Sequence, residues 1–564
     1  MLADDRDDRA LVYERESSSD VPTAPLGDGF TRPNRDVTFA RAFYAALAVT
    51  VVCGMFASGG ADDRFRELTS AETLNAFGSC HDARGAGVAR RRMLEVSGGD
   101  SDANVGVGME MARPYVIASA LGAIAIGVGA LHAFRAHPRA ATWGLIYAKV
   151  AMLGGMAILL LAQGSLVGGI FFGLFAAFLL WWMRATSDRV ELVAKLLGAA
   201  SSALRDNPHL ITTSLFAGLG VIVMLFVFLV CVVFAYMNGA IVPNYMATHN
   251  ANGLCYSGPP GDAMTEQVRC CDWQPDSWVV PYVTLVLLVA LWTQMIAAEM
   301  RTFVVGGAIG RWYFAPVGTR SFAGTTREFV SHAFGASFGS LAFGGLVLTG
   351  VQILRNLNER LRREIRGAMA ILACIVTAIM DCVAELVETV TKFATIQCAL
   401  TGEALCDAGR EVTRLLKDNF LSAVRVWWLP EMLLNTAAFL TALFYGATVG
   451  IVVDIGDRVP QQTAIVVGLI AGVSTLAILG FLFSVLLTCI DAVFICYARD
   501  KDANTITKPE VVQIYDEVTE KTRPPELSAQ AAQMARRRPA PTTAPGVGVQ
   551  QPNAPMMYGR PDMV

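Results

Sequence analysis

Residues 291–314, LWTQMIAAEMRTFVVGGAIGRWYF, place Glu299, Arg301 and Arg311 inside an apolar run of membrane-spanning length. Ionisable side chains are costly at the centre of a bilayer, so they face a bundle interior, a watery cavity or the interface. Glu299, Asp381, Glu385, Glu431 and Asp491 all fall in or near apolar blocks. A carboxylate so placed can hold a cation on a path through the membrane, or tie two helices together. For Glu299 the interface is a second reading. A helix entering near Trp278 crosses about 30 Å in roughly 20 residues, which ends near Ala298.

Aromatic rings add a second kind of cation contact. Trp292 lies mid-span, and Trp143 and Tyr147 are four residues apart, on one face of a helix. The ring quadrupole attracts an organic cation that cannot hydrogen-bond. Trp292, Tyr147, Trp143, Glu299 and Asp491 are therefore the candidate binding residues. The Gly-rich end that follows, with Gly306, Gly307, Gly310, Trp312 and Tyr313, is too apolar to hang free in water and is expected to form a packed gate region. No GxxxxGK, HExxH or GxSxG occurs, and six histidines are scattered along the chain. The residues suggest no enzyme, no metal and no cofactor.

The elements that position these residues follow from composition. Of 564 residues, 54% are hydrophobic and only 16% charged, against roughly a quarter in soluble domains. Mean hydropathy is +0.46. The apolar residues come in blocks, which predicts an all-α, polytopic helical membrane protein of about ten transmembrane helices. The chain divides into a polar tail (1–36), a first span retained as an anchor (37–58), a large outside loop (59–113), spans two to four (114–185), an amphipathic interfacial helix (186–206), a fifth span (207–237), a Cys-containing outside loop (238–276), spans six to ten (277–500) and a Pro-rich cytoplasmic tail (501–564).

Lys and Arg cluster after the second, fourth and sixth spans, which predicts that both termini are cytoplasmic. The stretch RNLNERLRREIRG, 355–367, opposes this count with five arginines. Cys80, Cys255, Cys270 and Cys271 fall in predicted outside loops, where disulfides form. Four cysteines allow three pairings, and Cys255 with Cys270 or Cys271, which closes a compact loop, is the expected one. A net charge of −3 says nothing about nucleic acid; the expected partners are the lipid bilayer and a small organic cation, and no nucleic acid.

Four stretches together resemble the choline transporter-like family: VVGGAIGRWYF, HAFGASFGSLAFGGLVLTGVQILR, TIQCALTGEALCDAGREVTRLLKDN and FSVLLTCIDAVFICYARDKDAN. Their order and spacing hold over about 278–510. The resemblance implies a ten-span carrier of the plasma membrane with both termini cytoplasmic. It implies uptake of choline, with ethanolamine as a second substrate and no obligatory sodium coupling, by alternating access through an aromatic-lined site. An organelle membrane is the other location. The rival class is a non-transporting membrane protein, a channel or a scaffold; a channel would show rings of like charge or a filter loop, and none is evident.

Overall fold

The computed structural model describes residues 32–61, 100–185, 187–243, 248–249, 255–256, 271–315, 324–364, 369–419, 424–456, 460–503 and 507–514. The helices are α1 (Val37–Gly59), α2 (Asp100–Ala136), α3 (Pro138–Ala162), α4 (Leu166–Ala185), α5 (Ser187–Asp206), α6 (His209–Tyr236), α7 (Val279–Phe314), α8 (Thr325–Phe334), α9 (Phe338–Glu364), α10 (Met369–Thr401), α11 (Leu405–Asn419), α12 (Val424–Ile455) and α13 (Gln461–Asp502). Four short strands, β1 (Gly239–Pro243), β2 (Thr248–His249), β3 (Cys255–Tyr256) and β4 (Cys271–Pro275), form two antiparallel pairs between α6 and α7, β1 with β4 and β2 with β3.

Among the described residues, nine helices are long and apolar enough to cross a membrane: α1, α2 from Arg113, α3, α4, α6, α7, α9, α12 from Pro430, and α13. The eighth expected span corresponds to α10. It is 33 residues long, but Asp381, Glu385, Glu388 and Lys392 dilute its apolar character. The chain is thus an all-α, multi-pass membrane protein.

Three elements differ from the sequence expectation. The first is α2, whose backbone is helical from Asp100, inside the stretch read as loop. Second, the stretch HAFGASFGSLAFGGLVLTGVQILR (332–355), which lies within the region of spans six to ten, is broken. α8 ends at Phe334, and the amides of Ser337 and Phe338 return to the carbonyls of His332 and Gly335 before α9 begins. Third, α9 continues to Glu364, so residues 355–364 of the Arg-rich stretch are the end of a helix.

α5 shows why its sequence alternates. Val190, Val193, Leu197, Ala200 and Leu204 are all at most 3% exposed. They pack on α2, α3 and α13, while Glu191 on the other face pairs with Arg139. Here the amphipathic stripe is buried against protein.

α12 and α13 make the tightest seam. A Cβ on Gly446 would lie 2.7 Å from the Gly468 carbonyl and 2.9 Å from the Gly472 Cα. Only glycine permits this approach, and Gly450 and Gly468 continue it one turn along.

The residues just before α1 are anchored. Arg32 donates to the carbonyls of Cys398 (3.1 Å) and Ala399 (2.6 Å), in the last turn of α10, where a cation suits the helix dipole. Its guanidinium also lies 5.4 Å from the Phe303 and Phe329 ring centres. Burial pulls its pKa down to about 10, so it remains a cation at neutral pH. Asp36, at φ 52, accepts from Ser340 Oγ (2.6 Å) and from the Leu405 amide (3.2 Å). The start of the chain thus ties α1 to α9, α10 and α11.

Candidate functional site

α7 is one helix of 36 residues, about 54 Å long against roughly 30 Å of hydrocarbon. Trp292, Ile296, Glu299 and Phe303 are spaced four, three and four apart, so they form one stripe along it. That stripe faces α9 and α10. The Trp292 indole N–H donates to the Ala342 carbonyl at 2.9 Å, and its ring meets Phe43 edge-on at 5.2 Å. Two turns on, Glu299 is 2% exposed. Its carboxylate accepts a hydrogen bond from the Thr395 hydroxyl of α10. On the α9 side, a Cβ at Gly344 would sit 3.2 Å from Glu299 Oε2, so the glycine leaves room for the carboxylate.

One turn back on α10, Lys392 reaches Asp491 of α13. Lys392 and Thr395 are three apart and share a face of α10. One face of α10 therefore meets two carboxylates, presenting a hydroxyl to Glu299 and an ammonium to Asp491. Glu388 and Glu431 are within electrostatic reach of the ammonium. Among the described residues Glu299 makes no ion pair. Its polar partner is the neutral hydroxyl, with Lys392 acting on it only at longer range.

Further toward the α9–α10 turn lies a second polar layer. Arg355 pairs with Glu388 at 2.5 Å, Arg362 with Asp381 at 2.6 Å, and Asn358 also donates to Asp381 at 2.6 Å. Two of the arginines that oppose the topology count are thus neutralised by acids on the facing helix. A count of bare Lys and Arg does not see this.

Residues 170–502, more than half of the chain, match the sequence profile described as plasma-membrane choline transporter. The chain belongs to that family. A Protein PNS1 of Cryptococcus neoformans is 32% identical over 167 residues, 28% of this chain and 28% of its own length. Choline transporter-like protein 5-A of Danio rerio is 27% identical over 249 residues, 40% of this chain and 34% of its own. A CTL-like protein of Dictyostelium discoideum is 20% identical over 384 residues, 65% of this chain and 60% of its own. In each case the chain matches less than two thirds of the relative's length.

In this family member the other candidate residues are dispersed. Trp143 and Tyr147 stack on each other at 5.8 Å on α3, which packs chiefly on α4 and α5. Tyr147 is 46% exposed, so the pair is not gathered with Glu299 or Trp292. The Gly-rich end of α7 is enclosed all round. Gly306 lies against Ile396, Gly307 against the Phe329 ring and Gly310 against Leu400. The Trp312 N–H donates to Asp206 at 3.0 Å, and the Lys508 ammonium sits 3.7 Å from its ring centre. Burial holds Lys508 below the usual lysine range. The Tyr313 hydroxyl donates to Asp500 at 3.2 Å.

Cys80 and Cys270 lie outside the described residues. Cys255 and Cys271 are described only as backbone, in β3 and β4. Lys392 and Thr395 are the residues that sequence reasoning missed. The signal available was a single Lys four residues after Glu388 in a membrane-length helix. Lys149, 6% exposed in α3, is a buried lysine that was overlooked in the same way.

Proposed function

We propose that this chain carries choline or a related small organic cation, such as ethanolamine, across the plasma membrane by alternating access. The observation that carries the reading is Glu299, a carboxylate within a membrane helix, 2% exposed and paired among the described residues with the Thr395 hydroxyl alone. Burying an unpaired anion in apolar surroundings is costly, and a substrate cation offsets that cost. Asp491 supplies a second negative centre, and Trp292, two turns from Glu299 on the same face, supplies an aromatic wall. Family membership and relatives named as choline transporter-like proteins support the substrate class. Trp143 and Tyr147 belong to this proposal only as a peripheral aromatic pair.

The Lys and Arg bias of the short connections supports cytoplasmic termini, which puts the Gly306–Tyr313 end of α7 at the inner gate. Tags at residues 10 and 550 that label on intact cells would reverse this orientation. The loop between α6 and α7 then faces outward, where Cys255 pairs with Cys270 or Cys271. A peptide map finding all three as free thiols would exclude the pairing.

The deciding experiment is uptake of radiolabelled choline by proteoliposomes holding the purified chain, with and without sodium. Saturable uptake that excess unlabelled choline abolishes is expected in both. Flux no greater than in protein-free liposomes would favour the scaffold reading.

A further inference from the structure

An ion pair between membrane helices is a poor stabiliser. Desolvation of both charges cancels most of their attraction, and apolar packing of equal volume does as well. The Lys392–Asp491 pair therefore calls for a second reason, and its asymmetry supplies one. The Asp491 side chain is 5% exposed, whereas that of Lys392 is 37% exposed. The carboxylate is buried among the helices, and the lysine side chain is the more exposed partner. A lysine is also the suitable type for a movable charge: a compact ammonium on a flexible stem, where arginine would clamp a carboxylate with two parallel bonds.

Lys392 also has somewhere else to go. Glu388 is one turn back on α10, at the spacing at which helix side chains meet, and Glu431 of α12 is within electrostatic reach. Turned toward Glu388, the Lys392 stem joins the pair that Glu388 already makes with Arg355 at 2.5 Å.

Resting on the reading that the chain carries a small organic cation, we infer that Lys392 is a tethered counter-ion. Its ammonium occupies the Asp491 carboxylate while the site is empty and yields it to the incoming substrate cation. Two consequences follow. The empty carrier returns without a bare carboxylate at Asp491. The substrate must also outcompete a cation already in place, so Lys392 sets the affinity without touching the substrate.

The test is choline binding by calorimetry to the full-length purified chain, with thermal melting as the control for folding. Lys392→Met keeps the stem and removes the competitor, so it should tighten choline binding about tenfold and slow uptake by proteoliposomes. Lys392→Arg should clamp Asp491 and weaken binding about tenfold. Asp491→Asn should weaken binding and remove the effect of Lys392→Met in the double variant. A folded Lys392→Met protein that binds choline as wild type does, or more weakly, overturns the inference. If Lys392→Met does not fold, a wild-type affinity in Lys392→Arg overturns it equally. Wild-type protein that binds no choline fails the functional reading itself, and the inference falls with it.

Discussion

The two polar layers on α10 use the same chemistry in different surroundings. Near the α9–α10 turn, the side chains of Arg355, Glu388, Arg362 and Asp381 are 35–53% exposed. Farther along the same helix, Thr395, Glu299 and the Asp491 side chain are at most 5% exposed. A partly exposed pair contributes about 0–1 kcal/mol, because solvent screens it and two long side chains must be ordered. A buried carboxylate has no such relief, so each of its partners matters. The contrast teaches that acid count along α10 is a poor guide to function. What distinguishes the layers is which acids are shut away from solvent and what they are paired with.

The strongest challenge to that contrast is Glu299→Gln. The amide keeps a hydrogen bond to Thr395 and removes the charge, so choline uptake should fall about a hundredfold, equivalent to about 2.7 kcal/mol, with melting little changed. Uptake at the wild-type rate would place Glu299 among the structural residues and end the contrast. Trp292→Ala should lower stability by about 2–3 kcal/mol, since it empties the space against Phe43 and frees the Ala342 carbonyl. Trp292→Phe should cost about 1 kcal/mol, the worth of the lost N–H bond. Chemical denaturation measures both, and equal losses would mean that the ring contributes no packing. Gly307→Ala tests the packed end of α7. Its Cβ would run into the Phe329 ring, so a loss of about 1–3 kcal/mol from overpacking is expected. An unchanged melting temperature would show that the ring moves aside freely. The smallest effect belongs to the exposed layer: Arg362→Ala should cost less than about 1 kcal/mol, and less still in high salt. A loss as large as that of Trp292→Ala would erase the difference between the layers.

Much of this was legible in the sequence, for identifiable reasons. α7 announces itself through an apolar run closed by Gly-Gly and Trp-Tyr-Phe, and Glu299 stands out as a carboxylate in that run. The charge of Asp491 was equally visible, but its partner was not. Lys392 is 99 residues away in sequence, on a helix whose acids make it a weak span, and spacing carries no information across such a gap. Periodicity put Trp143 and Tyr147 on one face of α3 without saying which neighbour that face meets. Arg32 is a harder case. It lies in a stretch that reads as a polar tail, and its partners are backbone carbonyls 366 and 367 residues on, which no side-chain pattern marks.

α13 has one more consequence. It is an unbroken helix of 42 residues with no proline inside it. Near its start, Gly468 and Gly472 bring it into backbone contact with α12. Near its end, Asp500 holds the Tyr313 hydroxyl of α7. Gly472 and Asp500 are 28 residues apart, a lever arm of about 42 Å. A tilt of about 5° pivoting on the glycine contact sweeps the far end through about 4 Å over that length, more than a hydrogen bond can stretch. Without a hinge in the helix, a slight rocking at the glycines is enough to unlatch Tyr313 from Asp500, and Asp491 is carried along the same arc.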